Sequence, residues 1–209
     1  MDKHEAFESL ETIRTILERS TLFTHIAPGG LFFGGAISLA ASVVGWVFQW
    51  HPVTSPFGFL ALWFLAFLLA LAAGLGISAR RAHQQGEEFW SRKLQFVLSG
   101  FLPSFVAAAI LTPIFVSIGH PEFCPGLWLV LYGLGILAVG VVLDWEFRAA
   151  AWCFLIAGTI TLYWLRQNPH LALGTTFGGL HLTLGVFRLY RENWKAYQNR
   201  EENMKSFRL

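Results

Sequence analysis

Long apolar runs recur along this chain, and they constrain its fold more than any other feature of the sequence. The last run, residues 174–190, reads GTTFGGLHLTLGVFRLY and leads directly into a basic tail. Each run is close to the roughly 17–25 residues that a helix needs to cross a bilayer. Of the 209 residues, 55% are hydrophobic and only 13% are charged. A soluble fold could not bury so much apolar surface, so the sequence predicts an integral membrane protein.

The runs predict an all-α membrane bundle of six transmembrane helices with an amphipathic cytoplasmic helix at each terminus. Residues 1–24 are expected to form the N-terminal helix, residues 25–190 the transmembrane domain, and residues 191–209 a basic C-terminal helix. Small residues on one face of the first span should let a neighbouring helix approach closely. The six spans are predicted at residues 28–50, 56–78, 94–118, 126–143, 149–165 and 171–188.

The positions of the basic residues predict the orientation of the bundle. Six spans place both termini on one side of the membrane, and every Lys and Arg except Arg166 falls on that side. Because basic residues are enriched in cytoplasmic segments, both termini are expected in the cytoplasm. The membrane itself is expected to be the plasma membrane.

Among the acidic residues and histidines, only His181 is predicted near the middle of a span, counting about 1.5 Å per residue from its outer end. Thr175 and Thr176 add hydroxyl groups higher on the same helix. A polar group in this position either hydrogen-bonds a neighbouring helix or belongs to a functional site. A substrate, quinone or proton site and a haem ligand therefore remain alternatives, although haem held by two histidines would need a second mid-span His.

The carboxylates fall at the predicted inner edge of the membrane. Asp144 and Glu146 lie in the stretch DWEFR, residues 144–148, which is predicted to be a tight charged turn. Water is expected to solvate both side chains there.

Histidines also mark the three predicted outer loops, and they suggest a weak metal site. The candidate ligands are His51, His120, Glu122, Cys124 and His170. Imidazole, carboxylate and thiolate groups bind zinc and copper, but the spacing matches no known metal motif. The alternative is that each His is an interfacial residue beside a turn proline. Cys124 is expected to be accessible from outside, and too far from Cys153 for a disulfide.

Both termini carry apolar residues at helical spacing. The N-terminal residues are Phe7, Leu10, Ile13 and Leu17, and the C-terminal residues are Trp194 and Tyr197. Such a face either docks on the protein's own cytoplasmic surface or binds a partner or the membrane surface.

The motif search excludes the common catalytic classes. A nucleophile elbow, a P-loop, a dinucleotide fingerprint and a zinc-protease motif are all missing from the sequence, so an enzyme is not expected. The leading hypothesis is a non-enzymatic regulatory or scaffold subunit that binds a protein partner, or another copy of itself, at the cytoplasmic face. The alternatives are a small-solute or ion transporter or channel using His181, and a redox protein that binds haem or a transition metal. No cofactor is predicted outright, and beyond the lipid bilayer no nucleic acid is expected as a partner.

Overall fold

The computed structural model describes residues 28–84, 86, 89–140 and 143–206 of the chain. Every regular element in these residues is helical. The elements are α1 (Pro28–Val47), α2 (Pro56–Gln84), α3 (Arg92–Ser117), a 3-10 turn (Pro121–Phe123), α4 (Cys124–Ala138), α5 (Trp145–Tyr163), α6 (Pro169–Leu173), a π-helical segment (Gly174–Gly179) and α7 (Leu180–Ser206). The predicted N-terminal helix, with Phe7, Leu10, Ile13 and Leu17, lies outside the described residues.

Four helices are long and apolar enough to cross a membrane. They are Pro28–Val47, Pro56–Gln84, Leu94–Ser117 and Pro121–Ala138. The prediction of a helical membrane protein is therefore supported. The other two predicted spans are less uniform, since α5 carries Glu146 in its first turn and the last span is interrupted by the π-helical segment.

The prediction of a tight turn at residues 144–148 is wrong, because α5 begins at Trp145. Asp144 occupies the N-cap position, and Glu146 lies in the first turn. Acidic residues are favourable at the start of a helix because they interact with the positive end of its dipole. On the same side of the bundle, α2 extends to Gln84 rather than ending near residue 78.

Small residues bring α1 close to the last helical run. A Cβ atom added to Gly35 would lie 2.8 Å from the Leu182 side chain and 3.0 Å from the Gly178 carbonyl oxygen. A Cβ on Gly178 would lie 2.6 Å from the side chain of Leu39. The predicted small-residue face of the first span is confirmed. Close approach matters here because lipid supplies no hydrophobic drive between helices, which associate through packing.

A second close pair joins α4 to α5 and completes the centre of the bundle. A Cβ on Gly126 would lie 3.0 Å from the Gly158 carbonyl oxygen, and a Cβ on Gly158 would lie 2.9 Å from that of Gly126. The largest fully buried side chains, each under 2% exposed, come from several helices and include Phe59, Phe154, Leu129 and Leu173. This packing fixes the positions of the polar side chains described next.

Candidate functional site

His181 points into the bundle and is held by hydrogen bonds from two sides. Its Nδ1 atom lies 2.7 Å from the carbonyl oxygen of Phe177, one turn earlier, and its Nε2 atom lies 2.9 Å from the hydroxyl of Tyr132 on α4. A carbonyl oxygen only accepts, so Nδ1 carries the proton and donates, while Nε2 accepts from Tyr132. The prediction that His181 has a carbonyl or hydroxyl partner is confirmed.

Aromatic rings surround the Tyr132–His181 pair. The Tyr132 ring lies 4.8 Å from that of Phe154 and 5.0 Å from that of Phe177, centroid to centroid. The ring of Phe101 covers Tyr132 from α3 at 5.8 Å. In this apolar setting the hydrogen bond is stronger than in water, and losing either partner is expensive. A metal or haem iron at Nε2 would have to displace the Tyr132 hydroxyl.

The π-helical segment Gly174–Gly179 precedes His181 and sets the direction of the helix that carries it. Such segments are rare and are frequent at functional sites. Thr175 is exposed and donates to the Leu171 carbonyl at 2.7 Å, so its hydroxyl bonds its own helix rather than His181. Thr176 is buried on the same segment.

His170, which the sequence suggests only as a loop residue, is buried, with 7% of its surface exposed. Its Nε2 atom donates to the Trp50 carbonyl at 2.7 Å, and its Nδ1 atom accepts from the Trp63 indole at 3.3 Å. Its ring lies 5.3 Å from the ring of Phe59. Both nitrogens therefore join α6 to α2 and to the turn that follows α1.

The predicted metal ligands do not come together. His120 and Glu122 form a pair, 3.1 Å between Nδ1 and Oε1. Within the ranges that the structure describes, no group of three or more His, Cys, Asp or Glu side chains could hold a metal ion.

The expectation that Cys124 lies accessible in an outer loop is wrong. The chain forms a helical turn at Pro121–Phe123, and Cys124 begins α4 with its side chain fully buried. Its Sγ atom faces the Thr112 carbonyl oxygen at 4.0 Å. Cys153 is exposed on α5, and both cysteines are free thiols.

An ion cluster that the sequence patterns do not predict lies where α5 begins and α7 leaves the bundle. Arg188 Nη1 lies 2.9 Å from Asp144 Oδ2 and 3.2 Å from Glu146 Oε1, and Arg191 Nη1 lies 2.8 Å from the same Glu146 oxygen. Arg188 and Glu146 are each only 4% exposed. The expectation that water solvates Glu146 is therefore wrong. The helical spacing in the sequence could have predicted the position of Arg188, because it follows His181 by seven residues and so shares its inward face.

The C-terminal helix carries an aromatic stripe on the opposite face. Since successive helical residues are about 100° apart, this face points away from His181 and the bundle. Trp194 and Tyr197 are 52% and 56% exposed, and their ring centroids are 6.2 Å apart. Tyr197 donates to Glu201, and this hydrogen bond raises the pKa of Tyr197 above its usual range. The aromatic stripe consists of Phe187, Tyr190, Trp194 and Tyr197.

Comparison of the chain with protein-family models, curated proteins and solved structures finds no match. Its function must therefore be argued from the geometry of the molecule itself.

Proposed function

We propose that the chain is a six-span plasma-membrane protein with cytoplasmic termini, and that it is a non-enzymatic scaffold or regulatory subunit. Its C-terminal helix binds a protein partner. The four long apolar helices support the membrane part of this proposal. With α5 and the run from α6 to α7 as the fifth and sixth spans, the charge distribution of the sequence supports a cytoplasmic position for both ends.

The observation that carries the proposal is the way the aromatic stripe is presented. α7 has 27 residues and continues without a break from the bundle into the C-terminal tail, a length of about 40 Å. In the first half of this helix, Arg188 binds Asp144, which precedes α5, and Arg191 binds Glu146 in the first turn of α5. Arg81 of α2 binds Glu192 at 3.2 Å. These ion pairs fix the direction of the helix, so a partner meets a surface that is already ordered.

The C-terminal half of the stripe, Trp194 and Tyr197, lies beyond the part of α7 that lipid can cover. Trp194 is six residues past Arg188, about 9 Å further along the helix axis. Phe187 and Tyr190 are exposed at the level of the membrane and its interface, whereas Trp194 and Tyr197 extend past it. Exposed Trp and Tyr side chains are the residues that most often dominate the affinity of a protein interface. We therefore place the partner site on Trp194 and Tyr197.

Site-specific photo-crosslinking in native membranes tests this proposal. A photoreactive amino acid at Tyr197 should give an adduct with one defined protein. Ala196 is the matched control, because it is exposed on the same helical turn but lies about 100° round the helix axis from Tyr197, off the aromatic stripe. Trp194→Ala should reduce the adduct at Tyr197 while the chain stays inserted in the membrane. Adducts only with lipid, or equal adducts from both positions, would contradict the proposal.

A further inference from the structure

We infer that the N-terminal segment, residues 1–20, docks on Trp194 and Tyr197 and covers the partner site when no partner is bound. This inference concerns regulation of the site proposed above and rests on that proposal. It follows from where the chain enters the bundle, how far the segment reaches, and the charges on the two termini.

The first helix enters the bundle beside the base of the C-terminal helix. α1 runs antiparallel to the last helical run: Gly45 packs on His170, Gly35 on Gly178, and Phe32 on Gly185. Continuing this pairing by one turn places Pro28 level with Arg188. The described part of the chain therefore begins, at Pro28, beside the base of α7.

The connecting residues are long enough to bring the segment round to the aromatic stripe. The stripe faces away from α1, so the chain must pass about halfway round α7, whose diameter with side chains is about 10–12 Å. That path is roughly 17 Å. Residues 21–27 span up to roughly 23 Å when extended, at about 3.3 Å per residue. This reach is sufficient for residues 1–20 to meet Trp194 and Tyr197.

The two surfaces match in apolar character and in charge. Phe7, Leu10, Ile13 and Leu17 repeat at helical spacing and would cover the two exposed rings. Residues 1–20 contain five acidic and three basic residues, whereas residues 191–209 contain five basic and three acidic ones. Opposite net charges favour this pairing and set its register. A net acidic segment is at the same time repelled by the anionic cytoplasmic leaflet, which disfavours the membrane surface as its binding site.

Disulfide trapping in the purified full-length protein, reconstituted in lipid with no other protein, tests the contact directly. In a Cys124→Ala/Cys153→Ala background, Leu10→Cys combined with Tyr197→Cys should oxidise rapidly to a bond within one chain. Leu10→Cys combined with Ala196→Cys is the matched control and should oxidise much more slowly. Equal rates for the two pairs, no bond in either, or a bond only between differently tagged copies would overturn the inference.

A second measurement leaves the native cysteines in place, in case the background variant fails to fold. Arg200 is exposed, three residues past Tyr197. Deletion of residues 2–20 should make tryptic cleavage after Arg200 several-fold faster in the reconstituted protein. An unchanged cleavage rate would contradict the docking.

The two proposals fail in different ways. Partner adducts at Tyr197 without an internal disulfide, and with no increase on deletion of residues 2–20, would refute the docking and leave the scaffold function standing. An internal disulfide with no partner adduct, even after the deletion, would refute the scaffold function and leave the docking standing.

Discussion

Arg188 and Glu146 form an ion pair that is almost completely buried, with 3.2 Å between Nη1 and Oε1. The pair joins the start of α5 to the middle of α7. Taking both charges out of water is costly, and the attraction between them offsets that cost only when further hydrogen bonds complete the site. Asp144 and Arg191 supply some of those bonds, whereas the buried Oε2 atom of Glu146 has no hydrogen-bond partner among the described residues. The cluster therefore determines the direction of the C-terminal helix more than it adds net stability.

Removing only Arg188 should destabilise the protein far more than removing Arg188 and Glu146 together. Arg188→Met leaves Glu146 buried with Arg191 alone, and we expect a loss of about 3 kcal/mol in the free energy of unfolding. The double variant Arg188→Met/Glu146→Leu should recover most of that loss. Arg81→Met is the control, because its more exposed pair with Glu192 is worth under about 1 kcal/mol. Denaturant unfolding in detergent measures all three, and equal losses for Arg188→Met and Arg81→Met would contradict the expectation.

The sequence was sufficient for the features that follow from regular periodicity. Apolar runs predicted the membrane helices, and the spacing of Gly34, Gly35 and Gly45 predicted the close face of α1. His181 could be placed near the middle of its span by counting the helical rise from the outer end. The same helical counting would also have placed Arg188 on the face that carries His181.

The features that the sequence did not predict depend on helix boundaries and on the partner across the bundle. The locally polar stretch DWEFR predicts a solvated turn for Glu146, and only the packing of α7 shows that this side chain is buried. Tyr132 carries no local signal that distinguishes it from an interfacial tyrosine, although it is the partner of His181. His170 and Cys124 are predicted in loops because prolines adjoin them, but these prolines, Pro169 and Pro125, lie in the first turns of α6 and α4.

Tyr132 and His181 should behave as one unit when either is changed. Tyr132→Phe leaves Nε2 of His181 without its donor, and His181→Leu leaves the buried hydroxyl without its acceptor. Each should cost about 1–3 kcal/mol in the free energy of unfolding. The double variant should cost less than the sum, by about 0.5–3 kcal/mol. Thr159→Val is the control, since that exposed hydroxyl bonds only a carbonyl of its own helix. Strict additivity in a double-mutant cycle would contradict a structural role for the pair.

Gly45 should not tolerate a side chain, because a Cβ atom there would overlap the His170 ring. That ring cannot move aside easily, since the Trp50 carbonyl and the Trp63 indole hold it. We expect Gly45→Ala to lower the free energy of unfolding by about 1–3 kcal/mol through overpacking. Gly76→Ala is the control, because nothing lies within 4 Å of its Cβ position. A melting temperature that is equally changed in both variants would argue against the close packing of α1 on α6.

The proposed orientation can be tested with introduced cysteines, because the native thiols are unsuitable. Cys124 is fully buried and should resist an impermeant maleimide until the protein is denatured. In a Cys124→Ala/Cys153→Ala background, Thr54→Cys probes the exposed turn between α1 and α2, and Gln84→Cys probes the exposed end of α2. If basic residues keep the end of α2 in the cytoplasm, only Thr54→Cys should react in intact cells, and Gln84→Cys should react after lysis. The reverse pattern would invert the orientation, and would place the aromatic stripe and its proposed partner outside the cell.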